Sequence, residues 1–346
     1  MRAMAHQRVD GPALRTQLQG AGLFGADLAS QAGALAAAYP RIAGRNLFAE
    51  FELGAEVVPS GFGLGLPWGE YDRYLVRDHW FLETPAGRAI TGALAADPFA
   101  ADNRAYLNLL SDDDPDWIEY DIAGGRIDPT PFVFFRPPSR FLNLSSPQQA
   151  GELCGLLPEA GGDFHRLLER MIAPGAIGMY RVGAAAQRGS DWWRAILTNL
   201  DAQQVGAALA DLGARDFKRP IDLADEFYAG RADAPGARFA LSVDVNAGRI
   251  TAADVEFAYA FRVSDLDDRA AAFDALVRRL AAEGLLTPQA AAWTSANCIR
   301  QVSGPAGGLR VQLHHLKQRF FGPNHLRAKA YLHLEMVGEP TLEPAS

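Results

Sequence analysis

The stretch that decides the fold is Leu309–Val337, LRVQLHHLKQRFFGPNHLRAKAYLHLEMV. Two strand-like runs flank Phe321-Gly322-Pro323-Asn324, where Gly, Pro and Asn suit the backbone angles of a chain reversal. In the second run Ala328, Ala330, Leu332 and Leu334 share one face. Arg327, Lys329, Tyr331, His333 and Glu335 share the other. His315, Lys317 and Arg319 fall together in the first run. Cations mixed with a phenol and a carboxylate suit an anion-accepting lining inside a barrel. A solvated sheet face would alternate in the same way.

Working outward, composition bounds the answer. The chain has 346 residues, 49% hydrophobic and 21% charged, enough apolar material for one large core or two ordinary ones. Its mean hydropathy is −0.07. A formal charge of −8 argues against a nucleic-acid binder. The N-terminus has no apolar segment like that of a secretory signal, and no run reaches the ~18 apolar residues of a membrane helix. Cys154 and Cys298 have no metal-ligand spacing and suggest no disulfide framework. The expected location is cytoplasmic, without membrane or nucleic-acid partners.

Along the chain, Pro12–Tyr39 has the spacing of two short helices. Asn46–Val58 alternates as one strand, with Phe51 and Leu53 opposite Glu50 and Glu52. Ser60–Gly69, SGFGLGLPWG, lacks the context of a dinucleotide fingerprint and reads as a closely packed glycine loop. Helices are expected around 70–81 and 86–96. The acidic cluster Asp112–Asp116 matches the D-D-x-x-D spacing that holds magnesium in all-helical prenyl synthases. It occurs once, contains Pro115 and precedes a strand rather than a helix, so an acidic loop is the preferred reading. Strand pairs are expected at 117–136, 177–200, 238–261 and 309–336. Helices are expected at 147–172 (broken near Gly161-Gly162), 202–213, 267–284 and 288–296. Arg194, beside Trp192 and Trp193, reads as a residue that could stack on an indole outside the sheet. The tail from about 338 is expected to be disordered.

Antiparallel pairs separated by helices, with no Ser- or Pro-rich linker, fit an α+β fold. We read residues 1–346 as a single domain, a closed antiparallel barrel of repeated αββα units with helices outside. An open α+β sheet would give much the same string.

Arg310–Met336 and Asn46–Gly65, with the alternation of hairpins and helices, resemble the αββα-barrel aromatic prenyltransferases. The nearest similarity is to the cyanobactin-type enzymes that modify ribosomal peptides. The resemblance implies transfer of a dimethylallyl or geranyl group from its diphosphate to an aromatic or other nucleophilic side chain, on a peptide or a small aromatic acceptor. It implies a proton-accepting carboxylate on the first strand, here Glu52 with Glu50 second. Arg136, Arg181, Lys317 and Lys329 would hold the diphosphate, and Tyr259 and Tyr331 would shield the carbocation. No protein metal ligands are implied, and Mg2+ is an optional companion of the diphosphate. One departure stands out: Ser60-Gly61-Phe62 occupies a place where these enzymes carry a basic residue before Phe-Gly.

Those residue types suit the chemistry. Fixed cations stabilise a departing diphosphate, aromatic faces stabilise the cation while excluding water, and a carboxylate removes the proton. Two other classes fit the same residues. One is a non-catalytic peptide-binding barrel that has lost the diphosphate site. The other is a hydrolase built on Glu50, Glu52 and the Asp112–Asp116 cluster, without the GxSxG motif of a serine hydrolase.

Overall fold

The computed structural model describes residues 9–39, 47–65, 88, 115–137, 139–157, 162–185, 192–229, 239–257, 266–304, 307–324 and 327–337. The expected helices around 70–81 and 86–96, most of the acidic cluster, Tyr259 and the tail lie outside these residues, Arg88 apart.

The strands are β1 (Leu47–Leu53), β2 (Val57–Gly65), β3 (Pro115–Ala123), β4 (Arg126–Ile127), β5 (Phe132–Phe135), β6 (Gly178–Ala185), β7 (Trp192–Leu200), β8 (Phe239–Asn246), β9 (Arg249–Phe257), β10 (Ile299–Gly304), β11 (Gly307–Phe321) and β12 (Ala328–Val337). Pairing runs β11-β12-β1-β2-β3-β5-β6-β7-β8-β9, and β9 returns to β11. Ten antiparallel strands therefore close on themselves, while β4 and β10 sit on the rim. Closure is made by Leu316–Phe321 against Ala253–Phe257, and it removes the exposed edges of an open sheet. The closed αββα barrel expected from the strand pairs is what forms.

The helices around it are α1 (Gly11–Gly20), α2 (Ala26–Ala37), α3 (Pro147–Leu156), α4 (Asp163–Ile172), α5 (Ala202–Asp211), α6 (Lys218–Ala229), α7 (Leu266–Ala282) and α8 (Pro288–Ala296). Their starts carry side-chain caps where the sequence supplies them: Asp10 accepts from Ala13 N, Asp201 and Gln204 form a capping box, and Thr287 accepts from Ala290 N. Leu14, Leu18, Phe164, Leu168, Phe273 and Leu276 bury completely in the same core as the outward strand residues Leu47, Leu64, Ile118, Val133, Leu332 and Leu334. The main core is thus the annulus between helices and barrel. It leaves the alternate strand positions to the lumen.

Four expectations change. Asn46–Val58 is two strands, β1 and β2, turning at Gly54–Glu56. Ser60–Gly65 belongs to β2 rather than to a loop, because its pairing with β1 and β3 supplies the order its composition lacks. Helix α6 and strand β10 were not anticipated. Arg194 lies inside the barrel. Alternation along β7 sends Trp193 outward onto Phe164, with ring centroids 4.9 Å apart, and Arg194 inward.

Candidate active site

Phe48, Glu50 and Glu52 alternate into the lumen from β1, and Trp117, Glu119 and Asp121 from β3. Between them β2 presents glycine. A Cβ added to Gly61 would lie 3.1 Å from Glu50 Cβ, and one added to Gly63 only 2.7 Å from Trp117 Cζ2. The alternation Gly61-Phe62-Gly63-Leu64-Gly65 therefore keeps one face empty for neighbouring side chains and buries the other in the core.

Two adjoining chambers result. The aromatic chamber, about 90 Å3, carries rings of Phe48, Trp117, Phe134, Tyr180 and Tyr331 together with Arg181, Lys317 and Glu256. The polar chamber, about 700 Å3, carries Glu52, Asp121, Asp244, Arg319, Arg327 and Lys329. Glu119 and Arg194 line both.

Most of the lumen cations meet a carboxylate. Lys329 Nζ lies 2.5 Å from Glu50 Oε1, which also accepts from Ser60 Oγ at 2.6 Å. Lys317 Nζ is 3.2 Å from Glu256, whose other neighbours are Ser242 and His315. Arg194 forks onto Asp244 at 2.6 and 3.1 Å, and Arg319 onto Asp254 at the same distances. Arg327 holds Glu52 at 2.7 Å. Arg181 rests over Tyr180 and Trp117, 4.2 and 5.1 Å from the ring centroids. Tyr331 stacks on His315 at 4.2 Å, with Lys317 Nζ 5.4 Å from its centroid.

These pairings set the protonation states. Burial alone would raise Glu50, but Lys329, Ser60 and the Tyr331 hydroxyl outweigh it and hold the carboxyl far below its usual range. Burial likewise opposes Glu256, which Lys317 and His315 pull down. Burial pushes His315 down to about 4, so its imidazole is neutral at pH 7 despite Glu256. Glu119 behaves oppositely: burial and the Glu50 charge push it up to about 7, against Arg194, Lys317 and Lys329.

Of the residues singled out in the sequence, Arg181, Lys317 and Tyr331 meet in the aromatic chamber, and Glu52 and Lys329 in the polar one. The two β1 carboxylates differ. Glu50 is 3% exposed and faces the lumen, whereas the Glu52 side chain is 39% exposed beside Arg327. Arg136 follows β5 and lines neither chamber. Glu119, Arg194, Asp244, Asp254 and Glu256 were missed, although period-two alternation through WIEYD, WWRAI, LSVDV and DVEF would have found them. Among the described residues no three His, Cys, Asp or Glu side chains are gathered to hold a metal ion.

The fold is that of the αββα aromatic prenyltransferases. A 6-dimethylallyltryptophan synthase from Micromonospora olivasterospora, solved with DMASPP and Trp, superposes with a TM-score of 0.60 at 16% identity, over 95% of this chain and 96% of its own. A 5-dimethylallyl tryptophan synthase from Streptomyces coelicolor, also solved with DMASPP and Trp, gives 0.56 at 13% identity over 97% and 96%. Prenyltransferase PriB, in a ternary complex with L-tryptophan and dimethylallyl thiolodiphosphate, gives 0.54 at 13% over 97% and 99%. No family model and no curated protein matches the sequence.

Proposed function

We propose that the protein transfers an isoprenoid from an allylic diphosphate to an aromatic acceptor. The observation that carries this reading is the juxtaposition, in one closed lumen, of Arg181 and Lys317 with five aromatic rings and the buried carboxylates Glu119 and Glu256. Cations draw off the leaving diphosphate, and rings stabilise the allylic cation where water is scarce. Glu50, buried and held by Lys329 and Ser60, adds a fixed negative charge beside this chamber. Solved proteins of the same fold bind a dimethylallyl diphosphate analogue and tryptophan, which supports an aromatic acceptor here. A peptide-borne aromatic side chain is the finer proposal, and the polar chamber of about 700 Å3 has room for its backbone.

The ion pairs qualify how the donor enters. Lys317, Lys329, Arg194, Arg319 and Arg327 each already hold a carboxylate. A diphosphate must displace those partners or arrive with Mg2+ bound to its own oxygens. That observation also favours a second reading, a non-catalytic peptide-binding barrel, which Ser60 in place of a basic residue supports. Incubation with dimethylallyl or geranyl diphosphate and tryptophan or a tryptophan-containing peptide, with and without Mg2+, tests both by mass spectrometry. A product heavier by one isoprenoid unit is expected. Peptide binding without any donor binding would favour the second reading.

A further inference from the structure

Deepening the prenyl-transfer reading, on which it rests, we propose that Glu119 on β3 takes the proton released by the acceptor ring, a role the family resemblance implied for the β1 carboxylates. Glu119 stands on the wall common to the two chambers, where a donor carbon among the aromatic rings and an acceptor entering through the polar chamber would meet. Glu50, Glu52, Asp244, Asp254 and Glu256 each contact a cation. Glu119 makes no hydrogen bond or ion pair with any described residue, although it is 9% exposed. Its cross-strand partner on β2 is Gly63, and Glu50 lies opposite Gly61, so no β2 side chain separates the two carboxyls.

Charged and titratable groups face this position from β1 (Glu50), β6 (Arg181), β7 (Arg194), β9 (Glu256), β11 (His314, His315 and Lys317) and β12 (Lys329 and Tyr331). Burial, helped by the Glu50 charge and opposed by Arg194, Lys317 and Lys329, leaves Glu119 with a pKa raised to about 7, suited to accepting a proton at neutral pH. Glu50, clamped by Lys329 and Ser60, is a weak base that serves better as a fixed negative charge and hydrogen-bond acceptor.

The step balances. The ring carbon forms a C–C bond to the allylic carbon, and the C–O bond to the diphosphate breaks with its electron pair leaving on the diphosphate. The resulting ring cation loses its proton to the Glu119 carboxylate, and the C–H pair restores aromaticity. The Glu119 carboxylic acid then returns its proton to solvent through the polar chamber.

The test compares wild type, E119Q and E50Q in turnover of dimethylallyl diphosphate with tryptophan across pH 5.5–9, beside calorimetric titration of dimethylallyl thiolodiphosphate. E119Q is expected to bind the analogue within about threefold of wild type and to lose roughly 10²- to 10⁴-fold in kcat. The acidic limb of the wild-type profile, near pH 7, should vanish with it, and a ring-deuterated acceptor should reveal an isotope effect in E119Q. An E119Q enzyme that keeps its kcat and its acidic limb overturns the proposal. So does a limb that survives in E119Q and disappears in E50Q, which assigns the proton to Glu50. Wild type that binds no analogue overturns the prenyl-transfer reading itself, and this proposal with it.

Discussion

Lys329 and Glu50 meet in a lumen where neither charge is well hydrated, so each depends on the other. Lys329→Met strands a buried carboxylate, and the expected loss is about 3–5 kcal/mol in urea unfolding at pH 7. The double variant with Glu50→Gln should lose less than the single change, since no charge is left unpaired. The titration behaviour of the carboxylates is opposed in sign. Glu50 has a lowered folded pKa, so its contribution to stability is present above its unfolded value and lost as pH falls. Glu119 has a folded pKa raised from 4.5 to about 7, so its protonated form favours the fold and stability drains away as pH rises through that window. Glu119→Gln removes this drain, and its Tm relative to wild type should climb between pH 5 and pH 8. The limit is about 3 kcal/mol, from 1.36 kcal/mol per pKa unit. A constant Tm difference across that range would contradict the assignment.

At the scale of elements, the hairpin β11–β12 was legible because its apolar positions alternate and its turn residues are the ones a reversal needs. Gly322 adopts φ 96° and Asn324 φ 58°. The hairpin β8–β9 was legible for the same reason, with Ala247 and Gly248 both at positive φ. Strand β2 was not, because a strand whose lumen face is glycine carries no polar partner for the alternation to reveal. Its order comes from β1 and β3, which lie far apart in sequence. The same crowding governs β6, where a Cβ on Gly183 would sit 2.2 Å from Phe132 Cε1 and 2.5 Å from Phe134 Cε1. Gly183→Ala should therefore displace two lumen rings and cost about 1–3 kcal/mol in urea unfolding. An unchanged midpoint would mean that both rings have room to move. The candidate site was legible to the same degree: Arg181, Lys317, Lys329 and Tyr331 occupy alternating strand positions that line the chambers, and Glu50 lies against Lys329. Arg136 lies one residue past β5 and just before Pro137, where the pairing that fixes alternation has ended. The pairs Lys317–Glu256 and Arg319–Asp254 were out of reach because only barrel closure brings β9 beside β11, whereas Arg194–Asp244 joins the neighbouring strands β7 and β8.

For the molecule as a whole, closure is the decisive event. The β9–β11 ladder joins Phe257 to Leu316 and brings Asp254 beside Arg319 and Glu256 beside Lys317. Its amides should exchange hydrogen as slowly as those of the β11–β12 hairpin, and faster exchange confined to β9–β11 would mean an open sheet. Among the described residues no helix is long and apolar enough to cross a membrane. The helical layer instead buries its apolar faces on the barrel, which leaves the lumen for function. That lumen carries cations already matched by carboxylates, so under the proposed function a diphosphate donor would exchange one set of ion partners for another. The most direct measurement is calorimetric titration of dimethylallyl thiolodiphosphate into the wild type and into a folded Lys317→Met/Lys329→Met variant, with and without Mg2+. Saturable wild-type binding that weakens at least tenfold in the variant is the predicted result. No binding by the wild type, or equal binding by both proteins, would contradict a diphosphate site on these lumen cations.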